Sequence, residues 1–287
     1  MPTTTAHSSA ALPLPANVPP DLAGRLAAAV AIACEVGDYI QSQVGQVVSV
    51  ESKSSVVDLV TNVDKEADKR IGTYLRNQFP DDTLITEETF QEGVTALSTE
   101  RAWVVDPIDG TTSFAHGFPY YSVSIAWLDE GVAKLGVVYD PCRNECFYAV
   151  RGSGAWLNGQ PLCVTKTTTL QASLWATGFP YSTDTATFEE QMQVVKTVLQ
   201  HTHGIRRLGS AALDLVYVAC GRLDGFWEYT LSPWDIAAGA LIVEEAGGQT
   251  SNLDGVALRL DDRLITILAS NGLLHQPFIT LYHNGLA

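Results

Sequence analysis

The chain has 287 residues, 46% of them hydrophobic, so it is long enough to bury a core in one large domain or two small ones. Its formal net charge of −15 argues against nucleic acid or an anionic membrane as the main partner, because phosphate backbones attract basic surfaces. An acidic protein can still bind a phosphorylated ligand if metal ions reverse the charge at the site.

The cysteines and the N-terminal segment bear on the compartment. The five cysteines are Cys34, Cys142, Cys146, Cys163 and Cys220. They are scattered, and the pair Cys142 and Cys146, four residues apart, has no second pair and no histidine nearby, so a zinc site is not predicted. The pattern predicts free thiols in a reducing cytoplasm. Residues 1–20 contain no Lys or Arg, which predicts a flexible tail and neither a secretory signal nor a transit peptide. No run of 18 apolar residues predicts a membrane span.

Two helices are predicted in the first part of the chain. Residues 21–44 keep one apolar face, and Asp21 can cap this helix. Thr61, followed three residues later by Asp64, resembles a capping box for the second helix. Asp64 therefore either only caps the helix or also holds a cation, since a carboxylate in a first helical turn stays ionised.

A short strand follows at residues 84–86 and ends at Glu87 and Glu88. Adjacent residues of a strand point to opposite faces, so at most one of these acids faces a given site. Taken alone, the two acids are better explained as a solvated loop edge. The polar residues 91–100 predict a loop of the kind that often covers a site.

The central stretch joins two carboxylates and two hydroxyls. An apolar run ends at Asp106, and Pro107 is expected to stop the strand there, because proline cannot donate to a sheet ladder. Asp109 follows three residues after Asp106, and Gly-Thr-Thr comes next at 110–112. Oxygen ligands of this kind suit Mg²⁺ or Mn²⁺, although Asp-Pro and Asp-Gly are also ordinary turn dipeptides.

The remaining elements divide the chain into two halves. Residues 121–128, 132–139 and 145–150 predict an antiparallel meander, which assigns residues 21–169 to an α+β half. Strands and helices then alternate, which assigns residues 170–287 to an α/β half. The strands are predicted at 173–178, 205–207, 225–228 and 264–269, and the helices at 187–200, 211–219 and 233–246.

Four motifs occur in order between about residue 53 and residue 271. They are Asp58-x-Val60-Thr61-x-x-Asp64, Glu87-Glu88, Trp103-x-x-Asp106-Pro107-Ile108-Asp109-Gly110-Thr111-Thr112, and Trp234-Asp235-x-Ala237-Ala238-Gly239 with Glu244-Glu245-Ala246-Gly247-Gly248. This set resembles the inositol monophosphatase family. The resemblance implies a layered αβαβα sandwich over residues 21–287, Mg²⁺-dependent hydrolysis of a phosphate monoester, a homodimer and inhibition by lithium.

The resemblance also implies roles for individual residues. The metal ligands would be Glu87, Asp106, the carbonyl of Ile108, Asp109, Asp235 and Asp64. Two or three Mg²⁺ ions, or Mn²⁺, would be held there. Asp64 and Thr111 would orient the attacking water, and Glu87 would share in catalysis. The substrate contacts would be Asp109, Gly110, Thr111, Gly209, Ser210 and Glu228. Lys53 matches a family lysine near the site, although alone it would be a solvated surface lysine.

Two positions depart from the family pattern: Ser113 stands where Asn is common, and Thr86 where Gly is common. They bear on substrate preference and metal affinity more than on the type of reaction. The expected substrate is inositol 1-phosphate, with another polyol or sugar phosphate as an alternative. Fructose 1,6-bisphosphate, histidinol phosphate and a 3′-phosphonucleotide are rival substrates. A binding role in an RNA-processing or transcription complex is a rival of another class.

Overall fold

The computed structural model describes residues 17–46, 50–52, 59–90, 101–179, 185–261 and 264–286. The helices are α1 Pro20–Gln43, α2 Asn62–Gln78, α3 Thr111–Ala115, α4 Thr185–His201, α5 Ala211–Ala219, α6 Pro233–Glu245 and α7 His275–Leu286. The first nine strands are β1 Val50–Ser52, β2 Leu59–Thr61, β3 Thr83–Thr86, β4 Ala102–Asp109, β5 Ser122–Asp129, β6 Val132–Asp140, β7 Glu145–Val150, β8 Gly154–Leu157 and β9 Gln160–Pro161. The others are β10 Leu174–Thr177, β11 Gly204–Arg206, β12 Gly225–Leu231, β13 Gln249–Ser251 and β14 Ile265–Ser270. Lys53, Asp58, the predicted loop at 91–100 and the predicted tail at 1–16 lie outside these ranges.

The larger sheet has seven strands in the order β3-β4-β5-β6-β7-β8-β9. Strands β3 and β4 are parallel, and every later neighbour is antiparallel. The predicted meander is therefore confirmed. Its first hairpin turns at Glu130 and Gly131, whose φ angles of 51° and 74° fit the right-handed twist of the two strands.

The smaller sheet has five strands in the order β11-β10-β12-β14-β13. Strand β10 is parallel to both β11 and β12, whereas β14 is antiparallel to β12 and β13. A separate two-stranded ribbon pairs β1 with β2.

Apolar faces hold five layers together. Helices α1 and α2 cover one face of the seven-stranded sheet, and α5 and α6 fill the space between the two sheets. Helices α4 and α7 pack together on the outer face of the five-stranded sheet. The predicted αβαβα sandwich is confirmed. None of the helices in the described ranges is long and apolar enough to cross a membrane.

The structure differs from the predicted elements at several points. Strand β4 does not stop at Asp106 but continues through Pro107 to Asp109, because its register with β5 shifts between the two aspartates. A shifted register does not require an N–H from every residue, so the proline is tolerated there. Helix α1 begins after Pro19, with Asp21 in its first turn and not at its cap. The short helix α3 and the C-terminal helix α7 were not predicted.

One buried carboxylate ties the outer helical layer to the larger sheet. Asp82, between α2 and β3, accepts two hydrogen bonds from Arg25 of α1, at 2.9 and 3.1 Å. It also accepts one from the indole N–H of Trp127 at 3.0 Å, and Arg101 lies 3.6 Å away. The Asp82 side chain is 1% exposed, so its charge depends on these partners.

A buried histidine joins the edge of the smaller sheet to α7. The ring nitrogens of His275 lie 2.8 Å from the hydroxyl of Ser251 and 3.0 Å from that of Ser270. Burial lowers the pKa of His275 to about 4.

Candidate active site

Two parallel strands bring the first acidic residues to one edge of the larger sheet. Strands β3 and β4 run side by side, so their carboxyl ends meet. Glu87 follows β3 directly, and its backbone N–H donates to the carbonyl of Val105 at 3.1 Å. Asp106 and Asp109 lie in the last part of β4, where Asp106 is buried and accepts the backbone N–H of Ile108 at 3.0 Å.

Asp64 uses its two carboxylate oxygens for two different purposes. Oδ2 accepts the backbone N–H of Thr61 at 2.9 Å and its hydroxyl, so the predicted capping box of α2 is confirmed. Oδ1 accepts the hydroxyl of Thr111 at 2.7 Å. That hydroxyl also lies 3.1 Å from the carbonyl oxygen of Ile108. The first turn of α2 is thereby joined to the end of β4, and Asp64 is more than a helix cap.

The turn after β4 requires glycine. Gly110 has a φ of 104°, which side chains rarely permit. A Cβ atom at this position would lie 2.9 Å from the carbonyl oxygen of Tyr120 and 3.0 Å from that of Gly209. Gly110 therefore allows the strand end to approach the segment before α5, and Thr111 can begin α3 beside Asp64.

Asp109 connects the two halves of the chain. Its Oδ2 accepts the hydroxyl of Ser210 at 2.6 Å and the backbone N–H of Ala212 at 2.7 Å. Ser210 also caps α5, because its hydroxyl accepts the N–H of Leu213 at 3.3 Å. Burial raises the pKa of Asp109 to about 6, against the opposing effect of these hydrogen bonds.

Asp235, in the first turn of α6, is a further carboxylate close to Asp109 and Glu87. It closes a capping box by accepting the N–H of Ser232 at 2.7 Å. Burial raises its pKa well above the usual value, and the negative charges of Asp109 and Glu87 raise it further. The carboxylates of Glu87 after β3, Asp109 of β4 and Asp235 of α6 thus repel one another at this edge of the fold.

Glu228 lies on β12, in the second half of the chain. Its carboxyl occupies the space beside Gly178, where a Cβ atom would lie 2.1 Å from the carboxyl carbon. Burial raises the pKa of Glu228 to about 8, with further contributions from the charges of Asp214 and Asp109. Gly178 therefore leaves room for a carboxyl that faces other negative charges.

The chemistry of the donors fits hard cations, although no cage is preassembled. Within the described ranges, no three Asp, Glu, His or Cys side chains form a group ready to hold a metal ion. The donors are carboxylate and carbonyl oxygens, which Mg²⁺ prefers. Cations among them would remove the repulsion that raises the pKa of Asp235. The proposed ligands and the number of ions remain predictions.

The two departures from the family pattern have local roles. The hydroxyl of Thr86 lies 2.6 Å from that of Thr89 and accepts the N–H of Thr89 at 3.2 Å, so it closes the turn that carries Glu87. Ser113 is buried in α3, and its hydroxyl lies 3.4 Å from the position a Cβ atom of Gly209 would take.

Sequence reasoning missed two residues of this region. Asp214 is buried in α5, accepts the hydroxyl of Tyr120 at 2.7 Å and raises the pKa of Glu228. A single acid in the apolar stretch 211–219 was the available signal. Arg207 is exposed, with a guanidinium nitrogen 2.9 Å from the position of a Cβ atom on Gly209. Its positive charge lowers the pKa values of Glu228 and Asp214. Nothing in the local sequence distinguished it from a surface arginine.

Comparison with known proteins identifies the family. A family model described as the inositol monophosphatase family matches residues 21–285. The chain belongs to the inositol monophosphatase family. This confirms the resemblance drawn from the motifs and makes the protein a member of a phosphatase family that acts on phosphorylated substrates.

Relatives within the family carry different names. A Thermotoga maritima protein named fructose-1,6-bisphosphatase/inositol-1-monophosphatase is 39% identical over 246 residues, which cover 85% of this chain and 90% of that protein. A Pasteurella multocida protein named Nus factor SuhB is 45% identical over 201 residues, covering 70% and 74%. The crystal structure of extragenic suppressor protein suhB from Bartonella henselae superposes with a TM-score of 0.84 at 33% identity, covering 92% of this chain and all of that one.

Proposed function

We propose that the protein is a Mg²⁺-dependent phosphatase that hydrolyses inositol 1-phosphate to inositol and phosphate. The observation that supports this most is the meeting of carboxylates from both halves, in which Glu87 and Asp109 raise the pKa of Asp235. Such repulsion among buried and half-buried acids is a cost to the fold that bound cations would offset. Mn²⁺ would be a substitute ion.

The residues have distinct roles in this proposal. Bound Mg²⁺ would stabilise negative charge on the phosphate and lower the pKa of water. The Thr111 hydroxyl, held 2.7 Å from Asp64, would orient the attacking water together with that carboxylate. Glu87, Asp106, Asp109, Asp235 and the carbonyl of Ile108 would be the further metal ligands. The N–H groups of Gly110 and Thr111 would bind phosphate oxygens.

Polyol recognition would fall to residues at the junction of the two halves. Glu228 has a carboxyl that can contact two neighbouring hydroxyls of a polyol at once. Gly209 and Ser210 precede α5 at the point where Asp109 meets it. Because Ser210 donates a hydrogen bond to Asp109, a substrate that contacts Ser210 would also affect the position of this proposed metal ligand.

A second candidate substrate is fructose 1,6-bisphosphate. Arg207 places an exposed guanidinium beside Gly209, next to the polyol position. A planar guanidinium binds phosphate oxygens in pairs, so it could hold the phosphate that is not cleaved. The name of the Thermotoga maritima relative joins both activities in one protein.

The proposal is tested by phosphate release with and without Mg²⁺. The panel is inositol 1-phosphate, fructose 1,6-bisphosphate, histidinol phosphate and 3′-phosphoadenosine 5′-phosphate. We expect Mg²⁺-dependent turnover that is fastest on inositol 1-phosphate. Turnover led by another ester would keep the metal site and reject the polyol contacts. Release that does not depend on a divalent cation would reject the mechanism.

Matched variants test whether Mg²⁺-dependent turnover depends on the proposed metal ligands. Asp106→Asn and Asp235→Asn each remove a charge with little change in volume, so turnover should be lost in a folded protein. Glu130→Gln, at an exposed hairpin turn, is the control for a lost carboxylate. Wild-type turnover of either aspartate variant at saturating Mg²⁺ would refute the metal assignment. Glu228→Gln should change the ranking of substrates, and an equal loss on every ester would refute its role in substrate recognition.

A binding role in a transcription complex is the remaining candidate, because the Pasteurella multocida relative is named a Nus factor. It is separated from catalysis by a pull-down with wild-type protein and with Asp106→Asn. One stoichiometric macromolecular partner retained by both proteins would support it. The homodimer, lithium inhibition and cytoplasmic location remain predictions, tested by light scattering, inhibition assays and fractionation.

A further inference from the structure

Helix α1 lies unusually close to the hairpin of β6 and β7. A Cβ atom on Gly37 would lie 2.3 Å from a ring carbon of Tyr139, so only glycine permits this approach. The hydroxyl of Tyr139 donates to Asp38 at 3.2 Å, one residue further along the helix. At the next turn, Gln41 accepts the hydroxyl of Tyr121 at 2.7 Å. One face of α1 is therefore fixed against the sheet over two helical turns.

Two cysteines meet at the N-terminal end of this contact. Cys34 precedes Gly37 by three residues and lies on the same face of α1. Cys146 of β7 is the direct partner of Tyr139 in β6, so both side chains point toward α1. Cys146 lies in the buried apolar cluster between α1 and the larger sheet, and Cys34 packs against that cluster. The two side chains thus lie near each other across the interface, and both thiols are free.

The two thiols differ in exposure and acidity. Cys34 is partly exposed, whereas Cys146 is 1% exposed. The hydrogen bond from Cys146 lowers the pKa of Cys34, although burial and the charge of Asp38 oppose this. The same hydrogen bond, with burial, raises the pKa of Cys146 well above its usual value. A partly exposed thiol of lowered pKa beside a buried thiol of raised pKa is the arrangement found in oxidisable cysteine pairs.

We propose that Cys34 and Cys146 form a reversible disulfide with a small disulfide oxidant such as oxidised glutathione. The Cys34 thiolate attacks one sulfur of the oxidant, and the first glutathione leaves as a thiolate that takes up a proton. Cys146 loses its proton and attacks the Cys34 sulfur, which releases the second glutathione. Two protein thiols are oxidised and one glutathione disulfide is reduced to two glutathione molecules.

The bond would join α1 to β7 and enclose residues 35–145. A cross-link that closes a long loop stabilises the folded state, mainly by restricting the unfolded chain. The pair lies between the outer helical layer and the larger sheet, and not at the carboxylates described above. This inference therefore stands or falls independently of the proposed phosphatase activity.

The test is oxidation of the folded full-length protein with oxidised glutathione, followed by alkylation and peptide mass mapping. We expect a peptide pair linked through Cys34 and Cys146 that dithiothreitol separates. Cys163→Ser removes an exposed thiol away from the contact and should leave this cross-link unchanged. Cys146→Ser should trap glutathione on Cys34, because the thiol that would displace it is missing. Cys34→Ser should show neither product.

Thermal unfolding gives a second readout. The cross-linked protein should unfold at a temperature higher by roughly 5–15 °C, and reduction should reverse the shift. Glutathione on Cys163 alone, with Cys34 and Cys146 alkylated, would overturn the proposal. A cross-link that appears only in denaturant would also overturn it, because the folded contact would then not direct the reaction.

Discussion

The hydroxyl of Thr111 can be removed with almost no change in shape, by replacing the residue with valine. It lies 2.7 Å from Asp64 and 3.1 Å from the carbonyl oxygen of Ile108, and the residue is 9% exposed. A buried hydrogen bond to a charged group contributes about 1.5–3 kcal/mol, so Thr111→Val should lower the free energy of unfolding by about that amount. If the hydroxyl also orients the attacking water, turnover should fall roughly 10²–10⁴-fold.

The assay pairs phosphate release at saturating substrate and Mg²⁺ with urea unfolding of the same preparation. Thr111→Ser is the matched control, because it keeps the hydroxyl and loses only a methyl group, at a cost of about 1 kcal/mol. It should retain most of the turnover. A valine variant that loses stability but keeps turnover within about threefold would refute the catalytic role. The role of Thr111 would then be only to join α2 to β4 through its hydrogen bonds.

Three further predictions concern the scaffold. Ser210→Ala removes both the cap of α5 and a hydrogen bond to Asp109, so unfolding in urea should show a loss of about 2–4 kcal/mol; a loss below about 0.5 kcal/mol would contradict the geometry. The pKa of His275 falls from its usual 6.5 to about 4 in the folded state, so the unfolded chain binds the extra proton. Stability present above pH 6.5 should therefore be lost as the pH falls toward 4, by up to about 3 kcal/mol. Urea unfolding at about pH 7 and about pH 4.5 should show this loss reduced in His275→Gln and unchanged in the exposed control His203→Gln. Asp82→Asn removes the charge that faces two arginines and should cost about 2–4 kcal/mol by thermal or urea unfolding. The neighbouring exposed Asp81→Asn should cost less than about 0.5 kcal/mol, and equal losses would show that the burial of Asp82 is not the cause.

Local spacing was sufficient to predict some of these features from the sequence. The capping box at Thr61 and Asp64 depends on four consecutive residues, and the structure confirms it. The hairpin at Glu130 and Gly131 likewise depends on a short turn that few residue types can form. The motif resemblance then supplied the layered fold, which local patterns alone did not specify.

Other features depend on contacts between distant residues, which local patterns do not encode. The passage of β4 through Pro107 depends on a register shift against β5. Helix α7 is stabilised by packing against α4 and has Pro277 in its first turn, so its own sequence gives a weak signal. The contact of Cys34 with Cys146 joins residues that are far apart in the sequence, and the cysteine count alone predicted only free thiols.

The hydrogen bond from Ala212 to Asp109 makes one backbone amide a natural reporter of the site. Its nitrogen lies 2.7 Å from Oδ2 of Asp109, a carboxylate at the meeting point of the two halves. Any cation or substrate that withdraws charge from Asp109 would weaken this hydrogen bond and move the amide resonance upfield. Titration of the isotopically labelled protein, followed by nuclear magnetic resonance, could therefore measure occupancy at Asp109 without turnover.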